Sequence, residues 1–364
     1  MPTPDDQQDI SPTDDTVILE EDVATPDEDS DVRHFKFRVS KKLTRRIDQY
    51  LVDRVPYLSR AGVQRLIDDG LVTVDGRTTK ASYKLKAGET VSMVAPPEPV
   101  NEIVPEDIPL DIVYEDEHFL ALNKQADLII HPARGRWHGT LVNGLAFYGN
   151  KWSNVNGVWR PGILHRLDRN TTGIMLVAKS DEAHWRIARQ FENRTIQKTY
   201  IAVCHGVPAL LGDVIDRPIG QDRYVREKQA VRKLEAGGKP AVTLYEVTET
   251  FDSPADVTLI DSEHPSDKKL PKPPQRFSLL RLSPKTGRTH QLRVHMASVG
   301  HPMVGDHMYG GRTFQRGDFI FARQALHAAQ ITFVHPVTLQ NMTIAAPMPQ
   351  DMVQLLAILR GGGV

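Results

Sequence analysis

Two short segments of this 364-residue chain, one with an aspartate flanked by arginines and one with arginines and histidines but no acid, set charged side chains beside turn-forming neighbours, a combination suited to chemistry on a polyanion. In residues 162–180 (GILHRLDRNTTGIMLVAKS), Asp168 lies in a polar stretch between Ile163–Leu164 and the apolar run Ile174–Ala178, with Gly173 easing the turn. The run reads as a strand, which can fix the aspartate while its carboxylate faces a cleft. Arg166 and Arg169 flank it and supply positive charge suited to a phosphate backbone. By residue type alone, an aspartate so placed is more commonly a turn or salt-bridge former than a catalyst. In residues 283–302 (SPKTGRTHQLRVHMASVGHP), Gly287 makes a turn, Thr289 is a plausible N-cap, and Leu292, Met296 and Val299 form one apolar helical face. Arg293 falls in the first turn, where a cation opposes the helix dipole. A nearby carboxylate would resolve that conflict, so Arg293 is a candidate ion-pair partner; the alternative is an ordinary surface arginine.

Other chemistries lack their residues. There is no G-x-x-x-x-G-K-[ST] loop for a nucleoside triphosphate and no H-E-x-x-H. His290 and His295 lie five apart, the wrong spacing to share a helix face. Several other histidines stand beside prolines (His131, His301, His335), where turn and packing roles are commoner than ligation. The single cysteine, Cys204, excludes an internal disulfide framework and a thiolate cluster. No metal and no cofactor are therefore expected. The longest apolar runs are strand-length, short of the ~20 residues of a membrane span. The acidic N-terminus has neither the basic nor the apolar region of a signal peptide. These features point to a cytoplasmic protein with no membrane partner.

The elements that must position these residues fall into unequal parts. The net charge of −1 hides a segregation: residues 1–32 carry twelve acids and no Lys or Arg, leaving 33–364 with 45 basic and 34 acidic residues. A basic body with an acidic tail fits a nucleic-acid partner, although charge alone equally fits a solvated basic surface. The tail, residues 1–33, has the composition of a disordered segment and suits a solubility role better than one in tuning affinity. Residues 34–95 read as a small basic unit. Leu43, Ile47, Tyr50, Leu51 and Val55 recur at helical spacing, and Pro56 stops that helix. Ser59 can cap a second helix that Gly70 closes, and Asp75-Gly76 is a hairpin signal after a strand at Leu71–Val74. Residues 96–108 are proline-rich and acidic, as in a stiff linker.

A larger domain, 109–360, follows. Strands are expected at Gly173–Lys179, Lys198–Cys204, Ala241–Phe251 and Phe277–Leu282, and helices around Leu141–Tyr148, at Glu182–Glu192 and at His290–Val299. Without regular βαβ alternation, this predicts an α+β domain with a mixed, largely antiparallel sheet. Residues 252–276 contain five prolines and balanced charges, and read as a surface insertion between two strands.

Several motifs, in order, resemble known families. Two short helices carrying Arg45, Arg46, Arg60 and Arg65, followed by VTVDG, look like the S4 RNA-binding domain; the alternative is a basic mini-domain that contacts protein. HRLDRNTTG resembles the H-R-L-D-x-x-[ST]-[ST]-G signature of the RluA family of pseudouridine synthases. GRTHQLRVHM resembles that family's later motif, and QKTYIAVCHG its tyrosine-bearing strand. DIPLDIVYEDE, HPMVGDHMYGG, RQALHA and APMPQDM further resemble the branch that acts on large-subunit ribosomal RNA. The similarity runs from about Lys36 to Arg360, excluding the tail and the 252–276 insertion, both of which depart from the family pattern.

The resemblance implies a pseudouridine synthase fold and an isomerase that converts uridine to pseudouridine in 23S ribosomal RNA. The N1–C1′ bond is broken, the base rotated and a C5–C1′ bond formed. Reactant and product are isomers, so neither a redox cofactor nor an energy source is required. A uridine in structured RNA must be flipped out before its glycosidic bond can be reached. By resemblance, Asp168 acts on the sugar as nucleophile or base, Tyr200 stacks on the uracil, Arg293 pairs with Asp168, and Arg166 fills the gap left by the flipped base. Arg45, Arg46, Arg60 and Arg65 would bind RNA phosphates, and His165 would be structural. The implied partner is ribosomal RNA or a pre-ribosomal particle, with a monomer as the default state. A non-catalytic RNA-binding assembly factor is the alternative, and the presence of Asp168, Tyr200 and Arg293 speaks against it.

Overall fold

A computed structural model describes residues 32–40, 46–55, 57–96, 103–131, 137–149, 151–157, 159–261 and 276–362. Residues 1–31 of the acidic tail, Leu43, Arg45, Pro56, residues 97–102 of the proline-rich linker and residues 262–275 of the expected insertion thus lie outside the described residues. Backbone contacts divide the chain between Glu102 and Ile103 into two compact units.

The first unit contains β1 (Arg33–Arg38), α1 (Ile47–Arg54), α2 (Arg60–Asp68), β2 (Val72–Val74), β3 (Arg77–Thr78) and β4 (Thr90–Ala95). Its sheet runs β1-β4-β2-β3. β4 alternates strictly between half-buried and buried residues, placing Val91, Met93 and Ala95 on the inner face. There they meet Ile47, Leu51, Val63 and Ile67 from the two helices. Ser59 caps α2 by accepting the Gly62 N–H at 3.0 Å. Asp75 and Gly76 join β2 to β3 with positive φ at both residues (48° and 77°), the conformation that an Asp-Gly hairpin turn requires.

In the second unit come β5 (Ile112–Glu115), β6 (Phe119–Lys124), α3 (Leu141–Tyr148), β7 (Thr172–Ala178), α4 (Asp181–Glu192), β8 (Gln197–His205), β9 (Gly212–Asp216), β10 (Ile219–Gln221), β11 (Gln229–Val231), β12 (Val242–Asp252), β13 (Thr258–Ile260), β14 (Arg276–Pro284), α5 (Gln291–Ser298), β15 (Thr313–Arg316), β16 (Phe319–Phe321), β17 (Leu326–Val334), β18 (Asn341–Ala345) and α6 (Gln350–Leu359). The main sheet runs β5-β6-β7-β17-β8-β14-β12-β9, with β18 alongside β17. Every pairing is antiparallel except β7 with β17, so the fold is α+β with a mixed, largely antiparallel sheet. β7 is buried along its whole length, which is why its sequence is a continuous apolar run rather than an alternation.

Two local expectations need correction. Gly173 does not ease a turn: it sits inside β7, and a Cβ there would lie 2.2 Å from the Ala328 carbonyl oxygen of β17. Only glycine allows that backbone approach. Thr289 does not cap α5, because His290 occupies the N-cap with a left-handed backbone and no side-chain cap. In the 252–276 segment, β13 pairs with β15, tying the first part of the segment into a small three-stranded sheet with β16.

Candidate active site

The segment before β7 alternates, with Ile163 and Leu167 buried in the core and Arg166 and Asp168 more exposed. Three successive carbonyls after Leu167 are each held. The Thr171 N–H donates to the Asp168 carbonyl (3.0 Å), Lys124 Nζ to that of Arg169 (2.8 Å), and Arg323 Nη1 to that of Asn170 (3.1 Å). Lys124 is buried and also donates to the carbonyls of Gln125 and Leu128, so all three ammonium protons have acceptors. Burial lowers its pKa to about 7, while the charge of Asp168 pulls the other way. Arg323 is in turn held by both oxygens of Asp351. A backbone this constrained fixes where the Asp168 side chain starts. His165 is structural as well: it accepts the Leu176 N–H of β7 at 3.0 Å through Nε2, and burial pushes its pKa down to about 3.

Asp168 Oδ2 lies 3.1 Å from Arg293 Nη1. Arg293 itself is buried in the first turn of α5. Asp306 grips it from the other side, accepting Nε and Nη2 at 2.7 Å each, and the Tyr309 ring lies 5.0 Å from its guanidinium carbon. Burial penalises the guanidinium charge, but the two carboxylates outweigh that cost and raise its pKa, so it stays charged. Asp306 therefore resolves the dipole conflict of a cation in the first helical turn. It leaves one edge of the fork for Asp168, whose side chain remains 19% exposed.

Asp168, Tyr200 and Arg293 share the lining of one cleft of about 500 Å³. Tyr200 is on β8, opposite Leu282 of β14 and Ala328 of β17. Burial first, and the charge of Asp168 second, push its phenol pKa up, so it is protonated at neutral pH. Leu164, Phe191, Ile196 and Leu326 add apolar surface, and Arg166, Arg194, Lys198, Lys285 and Arg288 add positive charge. A cleft with an apolar wall beside the Asp168 carboxylate, lined also by Glu192 and several cationic side chains, can accept a planar base attached to a phosphodiester chain.

The candidate arginines of the first unit are placed differently. Arg46 and Arg60 both converge on Asp48, which is fully buried and also accepts from Gln64 at 2.8 Å. Arg65 is exposed on α2, and Arg45 lies outside the described residues. Sequence reasoning did not single out Asp306, Tyr309 or Lys124, and weighed His290 only as a metal ligand, which its spacing from His295 argued against. Asp306 and Tyr309 stand in the motif HPMVGDHMYGG, but their contacts with α5 carry no local signature.

Comparison with known proteins adds independent findings. Residues 118–298 match the RNA pseudouridylate synthase family, and residues 45–91 match the S4 domain. The chain is 39% identical over 318 residues to a Bacillus subtilis protein described as an uncharacterised RNA pseudouridine synthase, YlyB, covering 87% of this chain and 95% of that one. It is 38% identical to proteins named ribosomal large subunit pseudouridine synthase D from Zymomonas mobilis (86% and 93% covered) and Escherichia coli K12 (88% and 92% covered).

Proposed function

This chain belongs to the RNA pseudouridylate synthase family, and on that premise we propose that it isomerises specific uridines of large-subunit (23S) ribosomal RNA to pseudouridine. The observation that carries this reading is Asp168, fixed through its backbone and paired with Arg293, in a cleft shared with Tyr200 and rimmed by cations. The choice of RNA rests on the names of the relatives.

In the proposed reaction a uridine is flipped into the cleft with its uracil against Tyr200. Asp168 attacks the sugar or takes a proton from it, and the N1–C1′ bond breaks. The base turns and C5 joins C1′ as the Asp168–sugar bond breaks or the sugar takes its proton back, and N1 gains a proton while the C5 proton is lost to solvent. Arg293 pairs with the carboxylate and aims it. Arg166, exposed on the cleft rim, occupies the vacated stack, where a planar guanidinium suits the space. The first unit holds phosphates without reading much sequence.

Tritium release from large-subunit ribosomal RNA carrying 5-tritiated uridine tests the reaction. Release by the wild type and none by Asp168→Asn is the expected result. Release by both would remove Asp168 from the mechanism. Release by neither, from naked RNA or from pre-ribosomal particles that are nonetheless bound, would leave an RNA-binding assembly factor.

A further inference from the structure

The two carboxylate oxygens of Asp168 face different partners: Oδ2 faces Arg293, and Oδ1 faces His290 Nε2 at 3.9 Å. His290 holds a left-handed backbone, with φ 55°. That region is uncommon for residues bearing a Cβ, and such conformations persist where surrounding structure holds them, often at functional sites. The other ring nitrogen, Nδ1, lies 2.8 Å from Tyr309 Oη. The same oxygen accepts the backbone N–H of Gln229, in β11, at 3.0 Å.

These contacts select a tautomer. A backbone N–H can only donate, so the phenol proton is left for His290 Nδ1. An accepting Nδ1 places the ring proton on Nε2, toward Asp168. The opposite tautomer would leave the phenol proton without an acceptor among the described residues and turn a lone pair toward a carboxylate. Burial holds the ring's pKa below its usual value despite the pull of Asp168, in keeping with a neutral ring.

We propose that His290 is a positioning residue for the reaction, its Nε2–H directed at Asp168 Oδ1 and its tautomer set by Tyr309, so that Arg293 and His290 each hold one carboxylate oxygen. The inference rests on the functional reading above for its catalytic consequence, but not for the tautomer. A separation of 3.9 Å exceeds a hydrogen bond. The gap closes when a bound nucleotide displaces water from the cleft, as catalytic contacts commonly tighten on substrate binding.

The test uses the full chain labelled with 15N-histidine, because ring-nitrogen shifts separate protonated from unprotonated positions. His290→Asn identifies the His290 signals, asparagine being tolerated at a left-handed backbone. In the wild type at neutral pH, His290 should carry its proton on Nε2. Tyr309→Phe, which keeps the ring beside Arg293, should move proton occupancy toward Nδ1. On the RNA substrate, His290→Asn should lower kcat roughly ten- to hundredfold with KM nearly unchanged, the cost of a misplaced catalytic group. A wild-type ring protonated on Nδ1 overturns the proposal, whichever RNA is the substrate. So does a wild-type kcat in His290→Asn. If the assigned RNA proves wrong, the tautomer measurement still decides the proposal, because it needs no substrate.

Discussion

Both units contain a carboxylate held by guanidinium groups, and they use it in opposite ways. In the first unit Asp48 is fully buried, while Arg46 and Arg60, which hold it, are 39% and 50% exposed. The hidden acid organises cations that still face solvent. In the second unit the arginine is hidden: Arg293 is 8% exposed and Asp306 1%, while Asp168 keeps an open side to the cleft. Under the proposed function, the buried acid of the first unit offers cations to a polyanion and the buried cation of the second offers an acid to a substrate, the difference being which partner is removed from water.

The largest effect expected from breaking this contrast is on Arg293. Arg293→Lys keeps the charge but loses the fork that serves Asp306 and Asp168 together. Tritium release should fall roughly 10²-fold, as expected when a catalytic group is displaced by about an ångström. A lysine variant with near wild-type kcat would show that charge alone suffices. Asp306→Asn should come next, because it leaves a buried guanidinium short of its strongest partner. Denaturant unfolding should show a loss of about 3 kcal/mol, with reduced kcat in the protein that remains folded.

Asp48→Asn should act on the other side of the comparison. Removing the buried acid frees Arg46 and Arg60, so KM for RNA should rise several-fold while kcat holds. The same site predicts an acid limit. Burial alone would raise the Asp48 pKa, but hydrogen bonds from Gln64, Arg60 and Arg46 together hold it below the usual 3.8. A carboxylate depressed in the folded state contributes stability above its unfolded pKa, and that stability is lost as pH falls through the folded value. The first unit should therefore loosen below about pH 4 in the wild type and show a weaker pH dependence in Asp48→Asn, as followed by hydrogen exchange. Arg65→Ala should have the smallest effect: kcat unchanged and the salt dependence of RNA binding reduced by about one phosphate contact. A drop in kcat there would blur the division of labour between the units.

Much of this organisation was legible in the chain because it is written locally. The Ser59 cap, the Asp75-Gly76 turn, the apolar run of β7 and the helix carrying Arg293 each depend on neighbours a few residues apart. The roles of Gly173 and Thr289 were misread for the complementary reason. Gly173 answers to Ala328 on a strand more than 150 residues away, and the start of α5 follows the left-handed turn at His290 rather than a side-chain cap. The C-terminal helix α6 and the strands after Gly311 went unpredicted, although their residues stand in plain view.

By itself the sequence determined which residues are available for chemistry, the α+β class, and the resemblance that names the reaction. Tertiary structure alone decided what each charged group does. It brought Asp306 onto Arg293, Lys124 onto the Arg169 carbonyl, and Tyr309 between Gln229 and His290. Those partners lie 13 to 80 residues apart in the chain, and periodicity reports only which face of an element is apolar. Whether a carboxylate becomes a buried anchor or an exposed reactant depends on which side of its ion pair the fold removes from water, and that is a property of the packed molecule.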